Sequence, residues 1–476
     1  MHGQKPNYLL TDQTETEPFS GSLSRRLLRI SLPLVFNQGS VILMLFFDRM
    51  FLSWYGTNEI SAVWPATFLY IACMTMFYGV SSFINIFVAQ YHGAGNKKMC
   101  SAVIWQGIYL TSGSYLALLC LIPFGREAFN LFGHRAEIAS LERTYYTVLM
   151  AASVMPLLNN VFASFFTGRG LTHITMSANV VGNAVNILLD WVLIFGHFGF
   201  PRLGILGAAI ATAIASTVPP AIMFVLFLRK SYQAEYETRT QRGFRPKLMK
   251  KIIAFGVPSG SHDLTYYIAV ALFFMFMGRT LPESLAANNI AWSVNELLTM
   301  YIHGLSLATL TMLAQAVGAG KPEEGAKVPY LVLKILLFMA ALIALVYLLF
   351  PETIYSIFRP RVEGAENIPF DLITAKGKNI FLFLIGYNFC FAFVCLFRQA
   401  LRGAGDTNYF LKVALFLDIL FFIPGIFLVA NIVATNYVVL WSFFLTYLVL
   451  AGSVHLIRFR KGHWKTIDRG DLLEQS

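Results

Sequence analysis

Residues 88–95 read VAQYHGAG and residues 313–320 read LAQAVGAG, an offset of 225 positions. The same offset relates Pro33 to Pro258, each early in the first long apolar segment of its half. A third pair, GRGLT at 168–172 and GAGDT at 403–407, recurs at an offset of 235. Three matches in one order at nearly constant spacing define an internal duplication. The chain is a tandem of two similar halves.

Each half is built for lipid. Hydrophobic residues make up 57% of the 476 positions and charged residues 13%, against about 25% charged in average soluble chains. Stretches such as 204–228, with no charge, and 408–431, with only Lys412 and Asp418, have the length at which a helix crosses a hydrocarbon core of about 30 Å. A closed barrel is the only other spanning solution, but its strands are about ten residues long with dyad alternation, and these segments are longer and uniformly apolar. The sequence therefore predicts an all-α membrane protein of twelve transmembrane helices in two pseudo-symmetric six-helix lobes. The first six helices are expected near 28–53, 60–91, 99–123, 143–167, 172–196 and 205–228. The second six are expected near 249–277, 286–316, 328–350, 372–400, 408–431 and 436–457. Six is even, so the copies share one orientation and form parallel repeats about an axis along the membrane normal, with substrate sites between them near the midplane.

The expected organisation is a cytoplasmic tail (1–24), a first lobe (25–230), a cytoplasmic linker (231–247), a second lobe (248–459) and a cytoplasmic tail (460–476). With the N-terminus inside, roughly 26 of the 36 Lys and Arg residues lie on or nearest the inner side, among them the linker, Lys97, Lys98, Arg402 and RFRKGHWK. This bias accounts for the formal charge of +11. Basic residues that flank helices form no continuous soluble face, so nucleic-acid binding is excluded. The five cysteines (Cys73, Cys100, Cys120, Cys390, Cys395) have no paired metal spacing and read as free thiols. The polar, mildly acidic first 24 residues lack a signal-peptide pattern. The glycine clusters GAGNKK, GRGLT, GAGK and GAGDT follow no strand and lack the GxxxxGK[ST] spacing. They read as tight turns between helices. Without a nucleotide site, work must come from an ion gradient, worth about 2.3 kcal/mol per charge per 100 mV.

Carboxylates inside such helices are the pointers to mechanism, since a central Asp costs roughly 2.5–3.5 kcal/mol to insert. Asp48, Asp190, Asp263, Glu296 and Asp418 are the candidates. Asn186 and Asp190 are four apart and share a helix face, with Asn183 one turn earlier. Such a set either ligates a cation or clamps two helices. Asp48 lies about fifteen residues after Pro33, next to Arg49, and reads as a cavity carboxylate or as an interface residue paired with an arginine. Two carboxylates in a partly dry cavity cannot both ionise cheaply, the basis of a proton carrier. Glu296 is either a cavity acid attracting cationic substrates or a packed polar residue. His262 and Asp263 are either a proton relay or a satisfied local feature. Asp418 occupies the repeat position of Asn183. Tyr78, Tyr266, Tyr267 and Tyr387 are candidate cavity aromatics that would hold organic cations by stacking.

VAQYHGAGNKK, GRGLTHITMSANVVGNAVNILLDWVLIFG, PRLGILGAAIATAIAS and LRGAGDT together resemble the multidrug and toxic compound extrusion (MATE) transporters, from about 25 to 460. The resemblance implies twelve helices in two lobes around a V-shaped cavity, export coupled to entry of H+ or Na+, and no further cofactor. It implies a monomer in the plasma membrane, a bacterial inner membrane, with both termini cytoplasmic. It also implies a cation site at Asp48, Asn183, Asn186, Asp190 and Thr212, where the only metal would be Na+. Tyr78, His262, Asp263, Tyr267 and Glu296 are the expected substrate-cavity residues. Helix 10 carries no acid here, unlike one branch of that family, which puts the coupling site in the first lobe.

The expected function is a secondary antiporter of organic, cationic or amphipathic compounds, possessing no enzymatic site. Alternatives are an exporter of one metabolite and a lipid-linked oligosaccharide flippase of the wider superfamily. The flippase needs several cavity arginines or lysines, and by this reading few stand mid-helix apart from Lys334 and Lys412, which lie near inner ends. A membrane-embedded enzyme would need a convergent His/Asp/Glu or Cys/His set, which the sequence does not display.

Overall fold

The computed structural model describes residues 22–131, 136–277, 282–358, 370–432 and 436–465. Of the two expected tails, residues 1–21 and 466–476 lie outside the described residues. The first lobe comprises α1 (Leu23–Tyr55), α2 (Thr57–Gly93), α3 (Lys97–Leu131), α4 (Ala136–Ala151), α5 (Val154–Gly168), α6 (Thr172–Phe195), α7 (Ile205–Ala215) and α8 (Val218–Phe227). A short α9 (Lys230–Tyr236) leads to the second lobe, α10 (Pro246–Met277), α11 (Pro282–Gly318), α12 (Pro322–Leu349), α13 (Pro351–Ser356) and α14 (Phe370–Ala404). It ends with α15 (Thr407–Val413), a π-helical stretch Ala414–Phe422, α16 (Ile423–Ile432) and α17 (Tyr437–Arg460).

All twelve expected segments are helical, and three are made of more than one piece. Proline explains each break, because it has no N–H to give the carbonyl four residues earlier. Pro156 deprives Ala152, at the joint of α4 and α5; Pro219 and Pro220 deprive Ala215 and Ser216, at the joint of α7 and α8. Pro424 deprives Leu420, inside the π-helical stretch. Among the described residues, eleven of the twelve segments are long and apolar enough to cross a membrane. The twelfth, α10, begins PKLMKK and carries PSGSHD at 258–263. Its polar middle is covered by α2 of the other lobe and by α15, the placement that makes polar side chains tolerable at membrane depth.

The segment between the lobes is held along α3. The Trp105 indole N–H donates to the Thr238 carbonyl (2.7 Å), the Tyr109 hydroxyl to that of Arg242 (2.5 Å), and Gln106 Nε2 to that of Gly243 (2.9 Å). The Arg245 N–H returns to Gln106 Oε1 (3.0 Å). The expected linker 231–247 is therefore a pinned strap.

The duplicated motif joins the lobes. Gln90, in VAQYHGAG, donates from Nε2 to the carbonyl of Gly403 (3.3 Å), and Gln315, in LAQAVGAG, donates from Nε2 to the carbonyl of Gly168 (2.7 Å). Gln90 and Gln315 stand at the first repeat offset, and Gly168 and Gly403 at the second. Each lobe thus inserts its own glutamine into the other's glycine turn. Both glutamines are buried. Arg26 Nη2 also donates to Gln315 Oε1 (2.7 Å). Gly93 and Gly318 permit the approach, because a Cβ at either would collide with the backbone of Gln315 or Gln90 respectively. Small residues let helix backbones close up where lipid supplies no hydrophobic drive between helices.

Glycine-mediated approaches between lobes continue upward only to the helix midpoints. Gly79 meets Gly260, Gly256 meets Val80, Gly304 meets Val35 and Gly39 meets Met300. Over the same half, Leu27, Ile30 and Leu34 of α1 are buried in the second-lobe core, and Leu310 and Ala314 of α11 in the first-lobe core. Beyond the midpoints, Phe51, Leu52, Ala62, Val63 and Ala66 pack only with residues of their own lobe. We infer a cleft between the lobes on this side, towards the helix ends at Tyr55 and Met277. On its walls Tyr78 and Tyr267, from opposite lobes, are about half exposed (48% and 49%) and lie within electrostatic reach of each other.

The reciprocal contact makes a prediction. Gln90→Ala removes its buried hydrogen bond to Gly403, about 0.5–1.5 kcal/mol, and Gln315→Ala removes the one to Gly168 together with the one from Arg26; each raises amide hydrogen exchange about tenfold or more in 88–95 and 313–320 together. A response confined to the mutated segment would show that the two glutamines do not act as a unit.

Candidate functional site

The helix α6 carries Asn179, Asn183, Asn186 and Asp190 at spacings of four, three and four, a polar stripe on one face. The stripe lies against α1 and α7. Asn159 Nδ2 donates to Asn179 Oδ1 (3.2 Å), and Asn179 Nδ2 donates to Asn37 Oδ1 (2.9 Å). One turn on, Asn183 Nδ2 donates to Ser40 Oγ (2.9 Å), which donates to the Asn37 carbonyl (2.8 Å). Further on, Asn186 Nδ2 donates to Thr212 Oγ1 (3.4 Å). The ladder leads to Asp190 on α6 and Asp48 on α1, whose charges act on one another and on the hydroxyl of Tyr145 from α4.

This end of the ladder is built differently from its middle. Asp190 is 0% exposed and Asp48 5%. Both carboxylate oxygens of Asp190, Oδ1 of Asp48 and Oδ1 of Asn186 are buried without a hydrogen-bond partner among the described residues. An unpartnered buried carboxylate is among the most costly groups a protein can hold. Four hard oxygen ligands of this kind suit a proton or an alkali cation better than a soft metal. Among the described residues no three His, Cys, Asp or Glu converge as metal ligands. The structure thus brings Asp48, Asn186, Asp190 and Thr212 together and sets Asn183 one turn away on Ser40. Asn37, Ser40, Asn159, Asn179 and Tyr145 complete the cluster. The asparagine spacing on α6, continued one turn to Asn179, carried that signal in the sequence.

Of the expected cavity residues, Tyr78, Asp263, Tyr267 and Glu296 gather at the cleft, since the Tyr267 hydroxyl is within reach of the charges of both Asp263 and Glu296. Glu296 accepts from the Trp292 indole (3.3 Å). Arg49 lies within electrostatic reach of both Glu296, from the other lobe, and its sequence neighbour Asp48. His262 is turned away: it is buried inside the second lobe, its ring 6.0 Å from that of His455 and 5.4 Å from that of Phe410. Consecutive helical residues point about 100° apart, which separates His262 from Asp263. Asp418 is also buried, accepting from Thr265 Oγ1 (2.5 Å) and the Tyr447 hydroxyl (2.9 Å).

Two arginines escaped the sequence reading. Arg398 and Arg402, one turn apart on α14, both approach Asp263: Arg398 Nη1 lies 3.6 Å from Oδ1 and Arg402 Nη1 3.2 Å from Oδ2. The expectation of few mid-helix arginines or lysines apart from Lys334 and Lys412 is corrected by this pair. Their i, i+4 spacing in FRQALRG was the available signal, masked because Arg402 lies near a helix end.

A family model described as MatE matches the chain twice, over residues 33–192 and 258–428. The probable multidrug resistance protein NorM of Thermotoga maritima is 26% identical over 395 residues, 81% of either chain. Its namesake from Oceanobacillus iheyensis is 27% identical over 417 residues, covering 85% of this chain and 89% of its own. Among solved structures, a MOP superfamily transporter from Pyrococcus furiosus superposes with a TM-score of 0.82 at 19% identity, over 93% of this chain and 96% of that one. An outward-facing multidrug resistance MATE family transporter of the MOP superfamily does so with a TM-score of 0.81 at 19% identity, over 94% and 96%. The two matched segments begin 225 positions apart, the offset of the internal duplication, and with them the chain belongs to the MatE family of membrane transporters.

Proposed function

We propose that the protein is a secondary antiporter that exports organic amphipathic compounds through the cleft in exchange for H+ or Na+ entering at Asp48 and Asp190. The observation that carries this reading is the set of buried, unpartnered carboxylate oxygens shared between α1 and α6. A visiting cation relieves their cost, and a cation that leaves on the other side of the membrane restores it. The lower half of α1 is embedded in the second-lobe core through Leu27, Ile30 and Leu34, so a shift of α1 against α6 on cation binding is transmitted to both lobes. The names of the curated relatives support multidrug export. With the basic ends and strap inside the cell, the joined face is cytoplasmic and the cleft faces outward.

A lipid-linked oligosaccharide flippase is the second reading, and the presence of Arg49, Arg398 and Arg402 around the cleft favours it. In liposomes, gradient-driven movement of a fluorescent organic compound supports the exporter, and lipid scrambling without such movement supports the flippase.

Two outcomes are expected. Asp48→Asn and Asp190→Asn each reduce gradient-driven export to the level of protein-free liposomes while leaving elution on gel filtration unchanged, whereas Thr212→Val slows export less; wild-type rates in both aspartate variants would overturn the coupling site. An imposed proton gradient alone drives export at the full rate if H+ is the coupling ion, and a sodium gradient alone does so if Na+ is. Export that responds to neither gradient excludes an antiporter of either kind.

A further inference from the structure

Two arginines crowd the floor of the cleft, and Asp418, the other carboxylate within electrostatic reach of Arg398, is already engaged by the hydroxyls of Thr265 and Tyr447. Arg398 and Arg402 share one carboxylate, that of Asp263. Arg402 Nη2 also donates to Ser82 Oγ (2.8 Å) on α2, in the other lobe, a contact that brings no negative charge. The Nε atoms of both arginines are buried without a hydrogen-bond partner among the described residues. Arg402 is 6% exposed, yet Arg398 and Asp263 keep an accessible edge, with side chains 13% and 16% exposed. The Arg398 guanidinium lies over the Tyr266 ring, 5.4 Å from its centre, which holds its plane. Higher on the same walls, Tyr78 and Tyr267 offer exposed aromatic faces.

A buried positive charge in excess of its partners costs free energy unless an anion visits it. A guanidinium presents a planar fork of donors matched to a carboxylate, sulfonate or phosphate. We infer that Arg398 and Arg402 form an oxyanion subsite at the floor of the cleft, which takes the carboxylate, sulfonate or phosphate of an amphipathic ligand whose apolar part lies against Tyr78 and Tyr267. The inference names the substrate class of the export reading and rests on it. Acidic or zwitterionic amphipaths are then substrates, in addition to the cationic ones the sequence led us to expect. The phosphate of a lipid headgroup and the acid group of a soluble compound share this chemistry.

The test is equilibrium binding to the purified full chain in detergent, with dansylglycine and its uncharged amide as fluorescent probes. The carboxylate binds about tenfold tighter than the amide, the gain of one charge-assisted contact. Arg398→Gln and Arg402→Gln each reduce that ratio towards one. Asp263→Asn, which removes the shared carboxylate, increases it, so the site remains testable even where an arginine variant folds poorly. Displacement of dansylglycine by benzenesulfonate assigns the site to soluble organic acids, and displacement only by dihexanoyl phosphatidate assigns it to a lipid headgroup. Equal affinity for dansylglycine and its amide, a ratio unmoved by Arg398→Gln and Asp263→Asn, or displacement by neither competitor overturns the site. Binding is read without an ion gradient, so a protein that keeps the preference and fails to export counts against the export reading alone.

Discussion

Within lipid, hydrocarbon side chains gain nothing by leaving one hydrocarbon surface for another. Two helical lobes therefore need another reason to stay together, and here it is a buried polar contact made twice. Gln90 and Gln315 each satisfy a backbone carbonyl that a glycine turn of the opposite lobe leaves open. Gly93 and Gly318 bring the backbones close enough for those bonds to form. Everything above follows from this joint: the lobes are held at one face, α1 and α11 exchange their lower halves into each other's cores, and the upper halves are left to part.

The duplication also shows where the lobes have diverged. The bond from Asn183 to Ser40 in the first lobe has a counterpart in the bond from Thr265 to Asp418 in the second, at the same two offsets. The positions matching Asp48 and Asp190 are Phe273 and Gly425. Phe273 is wholly buried and stacks on Phe444 with ring centres 4.5 Å apart. One lobe thus keeps two buried acids, with carboxylate oxygens unpartnered among the described residues, where the other has closed the space with aromatic packing. The acid that the second lobe does hold, Asp418, is satisfied by two hydroxyls inside a π-helical stretch. On the proposed reading, a physical asymmetry of this kind would let one half of a symmetric frame bind the coupling ion while the other half shapes the cleft.

The two charged sites differ in what they leave unmet. Among the described residues, carboxylate oxygens of Asp48 and Asp190 lack hydrogen-bond partners at the first, and the Nε donors of Arg398 and Arg402 lack them at the second. They are also linked, since Arg402 reaches Ser82 on α2, and α2 packs against α1, which carries Asp48. A cleft whose floor ties the lobes through an arginine has a built-in route by which a ligand and the lobe arrangement influence each other.

Periodicity and composition determined the helices, their number, the duplication and the stripe Asn183, Asn186, Asp190, because these are properties of neighbours along the chain and of the solvent the chain must fit. Even the broken helices were marked by Pro156, Pro219 and Pro424. Which side chains meet across helices was decided only by the tertiary structure. His262 and Asp263 are adjacent in sequence, yet one faces the lobe interior and the other the cleft. Arg398 and Arg402 read as the end of a helix until α10 brings Asp263 between them as their one direct carboxylate partner among the described residues. Charge balance is a sum over spatial neighbours, and no order along a single chain states that sum before the helices have packed.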